Sequence, residues 1–190
     1  RAGWDEGGAG AEVVAVDAAT GKALAPVDRI KAHTGEGILH QAFLTLLVEG
    51  QGENMRLLLC RRSPLKRLWG GVLADSCAGH PLPGEGVAAA TARRINEELG
   101  IMREPDELKH LGHVVYREDH GDGRCECEWC EVYLARVKPG ELHINQEEIS
   151  EVRRVALSEL DGYLQGHPEQ LAPWLREALS DPSIRTALAM

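Results

Sequence analysis

The sequence predicts an α+β fold, an α/β/α sandwich built on a mixed central sheet. Three observations carry this. Apolar runs at 41–48, 55–62, 111–117 and 125–135 have strand length and are set apart by polar, glycine-containing turns. The stretch 87–99 instead repeats small and apolar residues at helical spacing. Strands, a helix, further strands and a further helix follow one another, an order that packs helices onto a sheet.

Each element has its own signal. Residues 1–10 are glycine-rich and are predicted disordered, and 11–190 is predicted to be a single domain because neither a repeat nor a linker interrupts it. Residues 12–16 and 22–25 read as two short strands around Ala-Ala-Thr-Gly, a hairpin signal. Residues 29–40 read as irregular. The strand at 41–48 is followed by the polar turn 49–54, the strand 55–62 and a basic loop at 63–69. Residues 79–85 are a loop held by Pro81, Pro83 and Gly84, and the helix 87–99 is stopped by Gly100. Ala88, Ala92, Ile95 and Leu99 share the face that meets a core. The strands 111–117 and 125–135 are joined by 119–124, which holds two glycines. A last strand is expected at 151–156. Ser158 then reads as a helix N-cap with Asp161 three residues on, and 173–179 reads as a short helix. Residues 180–190 and the histidines His110, His113 and His120 receive no role.

Charge and composition exclude some functions. The formal charge of −9 argues against coating nucleic acid, so a phosphate ligand needs a local basic pocket. No apolar run has transmembrane length and no signal-peptide pattern is present, which predicts no membrane partner and a cytoplasmic location. The five cysteines Cys60, Cys77, Cys125, Cys127 and Cys130 are odd in number and read as reduced thiols. A zinc site at Cys125, Cys127 and Cys130 lacks a second CxxC and is set aside.

The centre of the chain is GHPLPGEGVAAATARRINEELGI, from Gly79 to Ile101, or G-x5-E-x7-R-R-I-x-E-E-L-G-I. Positions 94, 97 and 98 are neighbours on one helix flank, which carries Arg94, Glu97 and Glu98. Carboxylates there can hold a hard cation such as magnesium, which in turn can bridge diphosphate oxygens. The competing reading is a solvated face of Arg–Glu pairs. The whole pattern resembles the Nudix box and so implies a Nudix-like fold, with Arg94 where that box has Glu.

A narrower resemblance covers about 14–174. HTGEGILHQAF, CRRSPLKRLWGG, DSCAGHP, ARRINEELGI, the Tyr116–Arg117 pair, Glu-Cys-Glu at 126–128 and APW at 172–174 resemble type 1 isopentenyl-diphosphate isomerase. That family interconverts isopentenyl and dimethylallyl diphosphate for isoprenoid biosynthesis. The resemblance implies a divalent metal, Mn2+, Mg2+ or Zn2+, on His33, His40, His80, Glu126 and Glu128, a mixed nitrogen and oxygen set that suits several metals. It implies a second ion, Mg2+ carried by the diphosphate, on Glu98. Arg62, Lys66 and Arg94 match the family's diphosphate-binding cations, and Arg29 lies where a lysine is common; Arg61, Arg67 and Arg93 are read as simple surface charge. Moving an unactivated double bond needs an acid and a base on opposite faces of a dry pocket. The resemblance gives one role to Glu128, assisted by Tyr116, and places Trp174 against the carbocation; as a sequence feature alone Trp174 reads equally well as a core residue. The partner is then a small prenyl diphosphate, and the chain a monomer or homodimer.

The family's other acid/base is a cysteine immediately before Gly-His-Pro, and here that position is Ala78. Cys77 points the other way on an extended segment and does not substitute for it. Four readings stay open: a site inactivated by replacement of its thiol, an isomerase that uses another acid or a water, a Nudix hydrolase of a prenyl or nucleoside diphosphate, and a non-catalytic prenyl-diphosphate binding protein. Glu97 gives weight to hydrolysis and Arg94 weighs against it.

Overall fold

The computed structural model describes residues 11–66 and 68–190; the predicted disorder of 1–10 and the surface reading of Arg67 fall outside the described residues. The strands are β1 (Glu12–Val16), β2 (Ala23–Asp28), β3 (His40–Glu49), β4 (Arg56–Arg62), β5 (Leu73–Ala74), β6 (Cys77–Gly79), β7 (Lys109–Asp119), β8 (Cys125–Arg136) and β9 (Ile149–Ala156). The helices are α1 (Arg29–Ala32), α2 (Val87–Leu99), α3 (Leu160–Gly166), α4 (Pro173–Ser180) and α5 (Pro182–Ala189).

β3 organises the sheet. Along one edge it runs parallel to β8, from His40↔Glu128 to Val48↔Arg136. Its other edge meets three antiparallel partners in turn: β1 at His40, β6 at Phe43, Leu44 and Thr45, and β4 at Leu47, Val48 and Glu49. β7 pairs antiparallel with β8, and β9 with β4. The sheet is therefore mixed, as expected.

The period-two alternation of β3 divides two cores. Ala42, Leu44, Leu46 and Val48 pack with residues of α3, α4 and α5, among them Leu160, Leu175, Leu179 and Ile184. Phe43 and Leu47 pack with Ala90, Ala92, Ile95 and Leu99 of α2. Helices thus cover both faces, which gives the α/β/α layering. α2 ends at Gly100, whose φ of 69° lets its N–H reach Asn96 O at 2.9 Å. A Cβ there would sit 2.8 Å from His143 Cβ, so glycine is required on both counts.

Several local expectations are corrected. Residues 29–40, expected to be irregular, begin with the turn α1, because Asp28 Oδ1 accepts from Lys31 N at 2.9 Å. The loop expected from 79 begins as β6, paired to β3. Ser158 is not a helix N-cap: it lies in a 3₁₀ turn, Leu157–Glu159, closed by Ala156 N donating to Glu159 Oε2 at 2.8 Å, and α3 starts after it. The unassigned 180–190 contains α5, capped by Asp181, whose Oδ1 accepts from Ile184 N at 3.0 Å. On α2, Arg94 and Glu98 are buried while Glu97 stays exposed, so the predicted polar flank is split.

Candidate active site

A cavity of about 400 Å³ opens between β3, β6, β8, α2 and α4. Strand register builds its metal-ligating end. β3 pairs His40 with Glu128, and β7 pairs Tyr116 with the same Glu128, so three neighbouring strands present one row of functional side chains. Glu126, two residues earlier on β8, shares the face of Glu128 and is buried like it. His80 follows directly on β6. His33 caps α1, and Arg117 pins the following loop by donating to Gly35 O at 2.7 Å and Glu36 O at 2.9 Å.

The histidine tautomers follow from their partners. His33 Nδ1 lies 2.8 Å from Arg29 O and His40 Nδ1 lies 2.7 Å from Ile38 O. A carbonyl only accepts, so in both neutral rings the proton is on Nδ1 and Nε2 carries a lone pair. His33 Nε2 faces Glu126 Oε2 at 3.3 Å, and His40 Nε2 faces Glu128 Oε2 at 3.4 Å. A lone pair against a carboxylate oxygen is relieved by a proton or a cation between them. His80 Nε2 is 2.6 Å from Glu128 Oε2, and the Tyr116 hydroxyl donates to Glu128 Oε1. Ligand atoms of His33, His40, His80 and Glu128 all lie within 4.8 Å of one another. Bonds of about 2.1 Å to one ion put opposite ligands about 4.2 Å apart, so this donor set fits a divalent metal. Glu126 stands at the edge of the set through its contact with His33.

Electrostatics agree. Burial pushes the His80 pKa down to about 3, against the pull of Glu128, so the ring is neutral at pH 7. Burial alone would raise Glu128, but His80 and His40 outweigh it and hold its pKa well below the usual carboxylate range. Burial, then the charge of Glu128, raises Glu126. His33 is pushed down by burial but lifted more by Glu126, and lies above its ordinary value. Burial sends the Tyr116 hydroxyl well above its ordinary value.

The opposite end is cationic. Lys66 pairs with Glu148, and Arg94 with Glu98, all four buried; Arg94 also bonds Glu97 Oε2 at 2.6 Å and lies 3.8 Å from Glu148. Burial raises Glu98 despite Arg94. Arg29 and Arg62 line the same cavity, but Arg62 is largely committed elsewhere. Its Nε and Nη2 donate to Leu68 O at 3.2 and 2.9 Å, and its guanidinium lies 5.0 Å from the Trp174 ring centroid. Phe43, Ala78 and Trp174 line the same cavity. Gly79 lets Phe43 approach: a Cβ there would be 3.1 Å from Phe43 Cζ.

Every predicted site residue thus lines this cavity or its metal-ligating cluster, and Trp174 does so while also belonging to the core. Glu97, invoked for hydrolysis, pairs with Arg93 and Arg94 on the exposed side. Arg61 bonds Glu151 at 2.7 Å, and Arg93 bonds Glu85 at 2.8 Å. Three residues escaped the sequence reading. Glu148 gave no signal. Trp69, with φ of 50°, meets Trp174 edge-on at 5.5 Å between centroids. Asp75 accepts from Trp174 Nε1 at 2.7 Å; its signal was an acid in an apolar approach to the box.

A curled mixed sheet with the Gly79–Ile101 loop and helix over one face defines a Nudix domain, and the NUDIX domain family matches residues 38–180. The fold resembles a solved Deinococcus radiodurans protein, with a TM-score of 0.64 at 19% identity over 93% of this chain and 98% of that one. It also resembles a MutT protein from Methanosarcina mazei, with a TM-score of 0.58 at 21% identity over 78% and 92%. Sequence relatives are more specific. The isopentenyl-diphosphate Delta-isomerase of Nocardia farcinica is 36% identical over 160 residues, 84% of this chain and 87% of that protein. That of Paenarthrobacter aurescens is 36% identical over 178 residues, 94% and 92%. The chain belongs to the isopentenyl-diphosphate Delta-isomerase family of Nudix proteins, a family of intramolecular isomerases. Among the described residues no helix is long and apolar enough to cross a membrane.

Proposed function

We propose that the chain interconverts isopentenyl diphosphate and dimethylallyl diphosphate in a single 11–190 domain. The observation that carries this is the lining of one cavity. It is lined by a His–Glu–Tyr row, by paired cations, and by the apolar side chains of Phe43, Ala78 and Trp174. A five-carbon chain with an unactivated alkene suits the apolar residues, and its diphosphate suits Lys66 and Arg94, with Arg29 and Arg62 lining the same cavity.

His33, His40, His80, Glu126 and Glu128 would hold a divalent ion, and Glu98 a Mg2+ that arrives with the diphosphate. Such an ion, once bound, supplies charge that fixes the carboxylate of Glu128 and lowers the pKa of groups it touches. The protein's own part is to position. Glu128 Oε1, already bonded to the Tyr116 hydroxyl, exchanges a proton with the substrate carbon, and Tyr116 tunes that exchange. The Trp174 face lies in the cavity, where a carbocation can rest against it. Exclusion of water by the buried walls protects that cation. Hydrolysis is less well supported, because Glu97 is turned outward and Glu98 is bonded to Arg94.

The test follows isopentenyl diphosphate in heavy water with Mg2+ and Mn2+, reading conversion and deuterium uptake by NMR and phosphate release in the same tube. Conversion with deuterium uptake is expected. Steady phosphate release without conversion moves the chain to hydrolysis; neither signal leaves an inactivated isomerase or a binding protein, which Ala78→Cys separates.

A further inference from the structure

The proposed isomerisation moves two protons, one onto the terminal carbon and one off C2, and the side chain at position 78 is a methyl group. The cavity must therefore supply a second proton-transfer group besides the Glu128–Tyr116 pair. Its acids and thiols can be sorted by place. Glu98 and Glu148 are held by Arg94 and Lys66 at the cationic end. Cys60 and Cys77 also line the cavity, but their side chains pack in the core under α2 and burial pushes both thiols well up, away from proton exchange near neutrality. Cys130 sits one strand residue beyond Trp129 from Glu128, on the same face, and so belongs to the metal-ligating end. Asp75 is left. It is 3% exposed, lines the cavity with Ala78 and Trp174, and gives Oδ1 to Trp174 Nε1 at 2.7 Å. Its Oδ2 is buried and makes no hydrogen bond to any described residue.

We propose that Asp75 is the second catalytic acid/base of this site and donates the proton that starts the isomerisation. The inference rests on the function proposed above. In the forward direction the Oδ2–H bond of Asp75 breaks as a C–H bond forms at the terminal carbon, leaving a tertiary cation against Trp174. The C2–H bond then breaks to a Glu128 oxygen, and its electron pair becomes the new C2=C3 bond. Solvent returns the proton from Glu128 to Asp75, so no other reactant is consumed. Burial, opposed by the Trp174 hydrogen bond, raised further by Glu98 and opposed again by Arg62, lifts the Asp75 pKa to about 6, which keeps a working fraction protonated near neutrality. The charged groups that bear on it are Arg62 from β4 and Glu98 from α2, and the thiols of Cys60, Cys77 and Cys130 lie on the neighbouring segments.

The experiment compares the full chain with Asp75→Asn, Ala78→Cys and the double variant in the heavy-water assay, each over a pH series. Asparagine keeps an oxygen for Trp174 and preserves shape. Asp75→Asn is expected to lose about 10²–10⁴-fold in kcat with little change in KM, and to lose the alkaline limb set by Asp75. The double variant is expected to regain activity through the thiol, which also shows that the asparagine variant folds. Undiminished turnover in Asp75→Asn overturns the proposal. So does an inert parent chain that Ala78→Cys activates, although the isomerase reading then stands. If parent and Ala78→Cys are both inert, the isomerase reading falls and this proposal falls with it.

Discussion

Replacing Arg94 with methionine should destabilise the fold in a way that pH reveals. Arg94, Lys66, Glu98 and Glu148 are all buried, and their formal charges sum to zero. Methionine keeps most of the packing volume but leaves two carboxylates facing one ammonium. Removing one partner of a buried pair typically costs about 3–5 kcal/mol. Protonation sets a ceiling on that figure. Glu98 is already raised by burial, and taking up a proton at pH 7 from an unfolded value of about 4.3 costs about 3.7 kcal/mol. At pH 5 the same ceiling is about 1 kcal/mol. The sign follows from proton counts: above the unfolded pKa the folded variant holds a proton that the unfolded chain has lost, so its stability falls as pH rises. Urea titration should show a deficit of about 3 kcal/mol at pH 7, a midpoint lower by about 1.5 M for a slope of about 2 kcal/mol/M. At pH 5 the deficit should shrink to about 1 kcal/mol, and Arg94→Met/Glu98→Leu should recover most of the loss at pH 7. A deficit that is equal at both pH values, or smaller than about 0.5 kcal/mol at pH 7, would refute the charge-cluster reasoning.

Other expectations are simpler. Tyr116→Phe removes the hydroxyl bonded to Glu128 and should lower kcat about a hundredfold, with KM for isopentenyl diphosphate nearly unchanged in steady-state assays. Gly79→Ala brings a methyl within 3.1 Å of Phe43 Cζ and should cost about 1–2 kcal/mol in urea denaturation. Asp75, with a folded pKa of about 6 against an ordinary value of 3.8, favours the folded state below pH 4 and loses that contribution as pH rises to 6. Asp75→Asn should therefore gain on the parent by up to about 3 kcal/mol between pH 4 and pH 8. Binding of inorganic diphosphate, followed by calorimetry, should weaken at least about tenfold when Mg2+ is withheld.

The sequence disclosed this site unevenly, for physical reasons. The box was readable because its loop and helix are local: Gly100 needs a left-handed backbone, and Ile95 and Leu99 mark the buried stripe by spacing alone. Glu126 and Glu128 shared a face by simple alternation. The row His40–Glu128–Tyr116 was not readable, because it depends on a parallel β3–β8 register between segments 88 residues apart, and nothing local sets that register. α5 carried its own start signal, Asp181 followed by Pro182, and Ser158 carried a false one, because the turn at 157–159 takes its capping oxygen from Glu159 instead. Glu148 is visible only once β9 runs beside β4 and brings the segment before it to Lys66.

That last contact bears on what the cationic end can accept. Lys66 and Arg94 are each paired with a buried carboxylate, Glu148 and Glu98, so these two cations are largely neutralised within the protein. A free diphosphate entering there would meet two carboxylates as well as two cations, and its attraction to the cations would be largely offset. A diphosphate that brings its own divalent ion reverses this. In the proposed function Glu98 would hold that ion, Arg94 would turn its guanidinium to phosphate oxygens, and Lys66 would turn from Glu148 to the phosphate. On that reading Arg94 would have two uses on one helix flank: it pairs with the buried Glu98, and it would serve as a phosphate fork once the ligand arrives. A glutamate at 94 could do neither, since it would add a third carboxylate to the same buried cluster.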